Sequence, residues 1–319
     1  MKKNCKAVVT GGSGFVGSHL VEYLSTKTNF DTTCLVRKTS DTSFLETLPV
    51  KIKIVEFDNP ETYEDIIKSS DYIFQLIGLT YGKKYSFFKY VNYEIEKNFF
   101  NLYLKHRSSI NGYFFMSSLA VAGPKTQENE TPTRTKNLNP ISMYGKSKLL
   151  GEKIHWDYLN NSSLNINILR APSIYGKRDK EMKQFFDLIK KGFSLILGMG
   201  KNEVTLIHVK DLVKFIFEKT VHDNESSISY IYDNNLYTQK KLAHISKKAL
   251  NNKAITLYIP PFIAKFAALI NEKISDDYIF NREKYREMRS NWGYLGNDFD
   301  KIDDKIQYDL YKGLKQIYE

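Results

Sequence analysis

The stretch KAVVTGGSGFVGSHLVEYL, residues 6–24, decides the fold. It opens on a β-branched apolar run, passes through a glycine-rich turn, and continues with apolar residues at Phe15, Leu20, Val21 and Leu24 at helical spacing. The glycines fit two overlapping patterns. Gly12, Gly14 and Gly17 read G-x-G-x-x-G, while Gly11, Gly14 and Gly17 read G-x-x-G-x-x-G. Either pattern does the same work: a tight turn with φ > 0, close backbone approach to a pyrophosphate, and close packing of helix on strand. The pyrophosphate then rests on free amides at the positive end of the helix. Strand, turn and helix in this order predict a dinucleotide-binding turn.

The next informative position is the end of the following strand, TTCLV at 32–36. A carboxylate about 20 residues past the glycines would accept from the ribose 2′-OH of NAD. This chain instead has Arg37, Lys38 and, after Thr39, Ser40. A guanidinium binds a 2′-phosphate bidentately and stacks on adenine, so the expected cofactor is NADP, with NAD as the alternative. Further along, VKIKIVEFD (50–58), DYIFQLIGL (71–79), GYFFMSSLAVAG (112–123) and LNINILRAPSIYG (164–176) read as strands. Helical patterns lie between them at 60–69, 87–107 and 143–160. Alternating strands and helices predict an α/β fold with a doubly wound parallel sheet and ligands at the carboxyl ends of its strands.

Composition bounds the function. The chain has 319 residues, 42% hydrophobic and 14% aromatic, enough for a sizeable core. Its net charge is +11, from 47 basic and 36 acidic residues. The lysines are scattered among asparagines rather than blocked, which reads first as compositional bias and solubility and second as an anionic cofactor or small-molecule substrate, with no nucleic-acid partner expected. Cys5 and Cys34 offer neither a metal spacing nor a disulfide framework. The glycine motif starts within the first few residues, so no signal peptide is expected. The longest apolar stretch, ITLYIPPFIAKFAALI at 255–270, is broken by Pro260, Pro261 and Lys265 and falls short of a bilayer span. A soluble, cytoplasmic protein is the expectation.

The segment YGKSK places Tyr144 and Lys148 at i and i+4, on one face of a helix. In a chain with 22 tyrosines that pair could arise by chance. Context changes its meaning, because Ser117 and Ser118 end the preceding strand. A free phenol ionises near pH 10 and is a poor base at neutral pH. A neighbouring ammonium favours the phenolate and lowers that value.

Taken in order, TGGSGFVG (10–17), Asp58, QLIG (75–78), Asn92, SSLAVAG (117–123), YGKSK (144–148), RAPSIYG (170–176) and LIHVKD (206–211) resemble the extended short-chain dehydrogenase/reductase family, an NAD(P)-dependent epimerase/dehydratase-like group. The resemblance spans nearly the whole chain. In motif style it is nearest to dihydroflavonol-reductase-like and 3β-hydroxysteroid-dehydrogenase-like members. It implies a Rossmann-type domain over 1–176 and 204–234, and a substrate lobe over 177–203 and 235–319. It implies that Tyr144 donates and accepts the proton, that Lys148 also binds the nicotinamide ribose, and that Ser118 hydrogen-bonds the reacting oxygen. The cofactor contacts it implies are Gly11, Gly14, Phe15, Val16, Gly17, Arg37, Lys38, Asp58, Asn59, Leu76, Gly78, Asn92, Tyr144, Lys148, Pro172 and Ser173. Asp58 would meet the adenine amine, and backbone near Pro172 the nicotinamide amide.

Departures from the family pattern narrow the chemistry. Sugar-nucleotide dehydratases carry an Asp–Glu pair after the catalytic hydroxyl, whereas this chain has Leu119 and Ala120, which accept no proton. The asparagine that epimerases place after the sixth-strand arginine is Ser173 here. The leading expectation is an NADP(H)-dependent oxidoreductase of carbonyls or secondary alcohols. A sugar-nucleotide 4-epimerase with retained NAD is the alternative, and a non-catalytic nucleotide sensor the third reading. His208 reads as a core histidine, and the basic residues of NREKYREMRSNWGYL (281–295) read as a solvated helix face, with an anionic substrate as the alternative they would meet. The family's usual pairing, together with Phe99, Phe100, Leu102, Leu149, Leu150 and Ile154, predicts a homodimer through the helices at 87–107 and 143–160.

Overall fold

The computed structural model describes residues 4–125, 133–223, 225–274, 280–294 and 306–319. In chain order its first half contains β1 (Lys6–Thr10), α1 (Phe15–Lys27), β2 (Asp31–Val36), β3 (Lys51–Ile54), α2 (Glu64–Lys68), β4 (Tyr72–Gln75), α3 (Tyr85–Lys89), α4 (Ile95–His106), β5 (Gly112–Ser118) and α5 (Met143–Lys153). The second half contains β6 (Ile166–Ala171), β7 (Ser173–Tyr175), α6 (Met182–Lys190), β8 (Phe193–Leu197), β9 (Glu203–Val204), β10 (Leu206–His208) and α7 (Val209–Val221). It closes with β11 (Ser227–Tyr230), β12 (Tyr237–Thr238), α8 (Gln239–Ala249), β13 (Ile255–Ile259), α9 (Pro261–Ile274), α10 (Arg282–Arg289) and α11 (Leu310–Tyr318).

Seven strands form one parallel sheet in the order β3-β2-β1-β4-β5-β6-β11. The chain winds outward from β1 through β2 and β3, then returns to continue on the other side from β4. That reversal opens a crevice at the carboxyl ends of β1 and β4, where a doubly wound sheet binds its ligands. The central strand YIFQ of β4 is buried throughout, as strands covered on both faces require. The edge strand KIKI of β3 is largely exposed, and its lysines discourage pairing with another chain.

Both sheet faces are covered. Val9, Leu20, Leu24, Phe74, Leu212 and Ile216 close one side under α1 and α7. Phe99, Phe100, Tyr103, Tyr113, Phe115 and Ile168 close the other under α4. Each such side chain contributes about 1.5–3 kcal/mol by leaving water. A third cluster of Tyr175, Phe186, Tyr237, Leu242, Leu310 and Leu314 gathers α6, α8 and α11 beside the sheet. Among the described residues no helix is long and apolar enough to cross a membrane.

Several boundaries differ from expectation. The strand expected over 112–123 stops at Ser118, and Leu119–Val121 turns as a 3₁₀ helix. The run 164–176 splits at Pro172, which has no amide to give a ladder. Its second piece, β7, leaves the main sheet and pairs with β10. The helix expected over 87–107 is α3, a π-helical turn at Tyr90–Glu94, and then α4. The helix expected over 143–160 ends at Lys153 and is followed by a 3₁₀ turn at Trp156–Tyr158. Phe99, Phe100 and Leu102 lie in the chain's own core, so they are not available to a dimer interface. Only Leu149, Leu150 and Ile154 of that set stay half-buried.

Candidate active site

The glycine turn joins β1 to α1 at the head of the crevice. Gly11 has φ +66, and a Cβ there would lie 2.8 Å from the carbonyl carbon of Leu76. At Gly17 a Cβ would stand 2.1 Å from the Gly11 carbonyl oxygen, so the helix reaches the turn only without a side chain. Gly14 differs: its Cβ would meet just one atom within 4 Å, the Gly11 oxygen at 3.2 Å. That contact is tight but leaves the outer side of the turn open, where a phosphate would approach. No side chain caps α1 and no acid sits in its first turn, so its leading amides, from Phe15 and Val16 on, face outward for an anion. The turn fits a dinucleotide pyrophosphate.

Arg37 and Lys38 follow the end of β2 and are exposed, with no ion pair to either side chain among the described residues. The Arg37 amide donates to Ser40 Oγ at 3.1 Å, which shapes this turn. Asp58 is exposed beyond β3. Asn59 Oδ1 accepts from the Glu61 amide at 3.2 Å and so caps a short turn.

The loop after β4 is held from two sides. Thr10 Oγ1 donates to Gln75 Oε1 and accepts from the Leu76 amide, tying β1 to β4 at the crevice. Asn92 stands in the π-helical turn, a feature frequent at functional sites. Its amide group is committed to protein: Oδ1 accepts from Leu79 N at 2.9 Å, and Nδ2 donates to Leu79 O at 3.0 Å and to Ser147 Oγ at 2.8 Å. These bonds position the loop carrying Leu76 and Gly78 against α5.

Tyr144 is the second residue of α5, whose N-terminus is capped by Ser142 Oγ accepting from the Gly145 amide at 3.2 Å. Ser118 ends β5, accepts from the Ala120 amide at 3.1 Å, and stands close enough to the Tyr144 phenol to favour its ionisation. One turn further along α5, Lys148 is buried. Its Nζ donates to Met116 O at 2.9 Å and to Ile77 O at 3.4 Å, and lies 5.0 Å from the Phe115 ring centre. The sequence reading thus brings Ser118, Tyr144 and Lys148 to one place, at the ends of β4 and β5.

The electrostatics differ from the expectation. Burial pushes the Tyr144 phenol up to about 12; the Ser118 hydroxyl opposes this, and Glu181 and Glu287 add to it. Burial brings the Lys148 ammonium down to about 8, partly offset by Glu96 and Glu152. Lys148 does not act on the phenol in the chain alone, because its Nζ is held by the two strand-end carbonyls.

Beneath the site, Glu152 of α5 and Arg170 of β6 form a fully buried pair at 2.6 Å, with Ser117 Oγ donating to Glu152 Oε1 at 2.5 Å. This pair fixes α5 on the sheet. Pro172 and Ser173 stand at the break between β6 and β7, and Ser173 is exposed. Past them, Arg178 takes φ 67 and turns its guanidinium back to Ser18 Oγ (3.0 Å) and Glu22 (2.7 Å), over the Phe44 ring at 3.9 Å.

The basic residues Arg282, Arg286 and Arg289 of α10 form the solvated face expected of them, while the helix's acids turn toward the site. In α10, Glu283 Oε1 accepts from the Met143 amide at 3.1 Å, and Glu287 is half-buried with its carboxyl pushed up by burial. Leu295, the last residue of that stretch, lies outside the described residues. Sequence reasoning missed Glu283 and Glu287, although their i, i+4 spacing places both on one helix face. It also missed Arg178, Ser147 and the Thr10–Gln75 tie. His208 is buried as expected, its ring 4.4 Å from that of Tyr308 and its basicity lowered to about 3 by burial.

A doubly wound sheet with a glycine turn, a serine at the end of β5, and a Tyr–Lys helix beside it define an enzyme that works on a nicotinamide dinucleotide. The chain belongs to the NAD dependent epimerase/dehydratase family, whose model matches residues 7–233. It is therefore an extended short-chain dehydrogenase/reductase. It is 27% identical over 235 residues to an uncharacterized UDP-glucose epimerase of Bacillus subtilis, covering 66% of this chain and 71% of that one. It is 22% identical over 267 residues to the decarboxylating sterol-4-alpha-carboxylate 3-dehydrogenase of Dictyostelium discoideum, covering 80% of each. The fold matches the crystal structure of UDP-glucose 4-epimerase from Thermotoga maritima with UDP-glucose, with TM-score 0.75 and 18% identity over 98% of this chain and 97% of that one.

Proposed function

We propose that this chain is an NADP(H)-dependent oxidoreductase that interconverts a carbonyl and a secondary alcohol. The observation that carries the reading is the placement of Tyr144 on the first turn of α5, with Ser118 at the end of β5 beside it and buried Lys148 one helical turn on, its Nζ held at the ends of the strands that form the crevice. A bound nicotinamide supplies or accepts the hydride, and its oxidised ring adds a positive charge that favours phenolate. In the reducing direction the substrate oxygen gains its proton from Tyr144 Oη, while Ser118 Oγ donates a second hydrogen bond to that oxygen. Lys148 positions the nicotinamide ribose. Arg37, exposed beyond β2 and in no ion pair among the described residues, takes the 2′-phosphate. Leu119 and Ala120 provide no acid beside Ser118, which argues against proton abstraction at a neighbouring carbon by the usual pair.

The second reading is a sugar-nucleotide 4-epimerase that retains NAD. The family's description and the Bacillus subtilis relative's name favour it, while Arg37 and Ser173 oppose it. Nucleotide stripped from the purified protein, followed by fluorescence titration with NADPH and NADH, separates the two. Exchangeable NADPH supports the reductase; tightly held NAD overturns it in favour of the epimerase.

A further inference from the structure

The apolar stretch 255–270, too interrupted to span a bilayer, forms an outward face. Strands β13 and β8 pair in parallel with Ile255 opposite Phe193, Leu257 opposite Leu195, and Ile259 opposite Leu197. Side chains alternate along a strand, so these six share one side of the two-stranded sheet. On the other side Ser194 and Ile196 are buried. Four of the six are uncovered: Ile255 is 62% exposed, and Phe193, Leu195 and Leu257 are exposed with it, while Leu197 and Ile259 are half-buried.

Pro260 and Pro261 turn β13 directly into α9. There Phe262, 73% exposed, and Phe266, 65% exposed, line up with Ile263 and Ile270 at helical spacing, while Ala264 and Ala268 are buried on the opposite face. Met199, 66% exposed, sits at the corner beside Gly198, whose amide donates to Ile259 O at 2.9 Å. Water-facing surfaces of single soluble domains seldom gather this many large apolar groups without an occupant.

The surrounding charge has one sign. Segments 191–202 and 253–271, which build this face, carry four lysines and no aspartate or glutamate. Lys191, Lys201, Lys253 and Lys265 are all exposed. The nearest acid along α9, Glu272, is paired with Arg282 at 2.6 Å.

We propose that this face seats the chain on an anionic phospholipid bilayer, with α9 lying in the plane of the headgroups. Exposed phenylalanines on one helix face with lysines beside them are the chemistry of an interfacial helix, whose apolar side sinks about 5–10 Å below the headgroups. The lysine rim adds attraction to acidic lipid and screens out in salt. A second copy of this chain would bring the same lysine rim against itself, which like-charge repulsion opposes.

The test is flotation of the full chain with vesicles of phosphatidylcholine alone or mixed with phosphatidylglycerol. Binding to the acidic vesicles is expected, weakened by salt, with little binding to phosphatidylcholine alone. F262S/F266S should lower that binding about tenfold or more, and K253Q/K265Q should lower it at low salt while leaving the apolar part. Thermal melting of both variants checks that the fold survives, since all four side chains are exposed. Failure of the native chain to float with acidic vesicles overturns the proposal, as does binding by both variants equal to that of the native chain. It is also overturned if the lipid-free native chain sediments as a dimer that F262S/F266S dissociates, which makes the face a contact between copies. None of these outcomes depends on turnover or nucleotide affinity.

Discussion

Lys148→Met isolates the electrostatic cost of the site. The lysine is buried, and burial brings its ammonium from 10.5 down to about 8. At about 1.36 kcal/mol per pH unit this corresponds to roughly 3 kcal/mol. The folded chain holds this proton more weakly than the unfolded chain does. The penalty is therefore complete below about pH 8 and is relieved as pH rises toward 10.5, where the unfolded lysine also loses its proton. Methionine keeps the stem's length and polarisable bulk but carries no charge. It also loses the donors to Met116 O and Ile77 O, a loss present at every pH, so stability at a single pH is not the test. The slope is. Urea unfolding of the nucleotide-free native chain and variant, followed from neutral to alkaline pH, should show the native chain gaining up to about 3 kcal/mol on the variant. The buried tyrosines titrate alike in both proteins and cancel in the difference. Parallel stability curves would refute the argument that Lys148 is a charge held at a cost.

Tyr144→Phe keeps the ring and removes only the ionisable oxygen, so fold and nucleotide binding should survive while turnover falls about 10²–10⁴-fold; near-normal turnover rules the phenol out. Ser118→Ala should cost less in the same assay, because Tyr144 still donates to the substrate oxygen. Arg37→Asp should weaken NADPH binding by about 2–5 kcal/mol and leave NADH binding equal or better; a native chain that already prefers NADH contradicts the reading. Glu152→Gln leaves Arg170 a buried unpaired charge and should destabilise the chain by about 3–5 kcal/mol in thermal melting. An unchanged melting temperature would show that the pair does not hold α5 in place.

What could be read from the chain beforehand follows from the range of the forces involved. The β1–turn–α1 unit is encoded by neighbours within about twenty residues, and glycine spacing, β-branched run and helical period agree there. Ser118, Tyr144 and Lys148 were legible for the same reason, since each lies at the end or start of a strongly patterned element. Strand ends were overextended at 112–123 and 164–176, because apolar residues continue past the ladder into a 3₁₀ turn and past Pro172. The π-helical turn has no signature in hydrophobic period, so the role of Asn92 emerged only from its contacts with Leu79 and Ser147. Arg178 meets Ser18 across 160 residues and Glu283 meets Met143 across 140, separations to which no local pattern extends. The dimer argument failed at Phe99, Phe100 and Leu102 because single-sequence periodicity cannot tell how many layers cover a helix. The phenol was expected to feel the lysine's charge, and i, i+4 spacing alone does not reveal where the Nζ is tethered.

The contact between Glu283 Oε1 and the Met143 amide sets the terms on which Tyr144 is presented. The phenol stands on the first turn of its helix, and one of that turn's free amides is satisfied from α10, an element of the other half of the molecule. The height and tilt of the proton donor are thus shared property, jointly owned by the nucleotide-binding sheet and the part that would greet a substrate. An inhibitor wedged under α10 could silence the chain without entering the glycine crevice. The same linkage makes relatives that differ in the C-terminal part unsafe guides to how this tyrosine behaves, even where the YGKSK segment is unchanged.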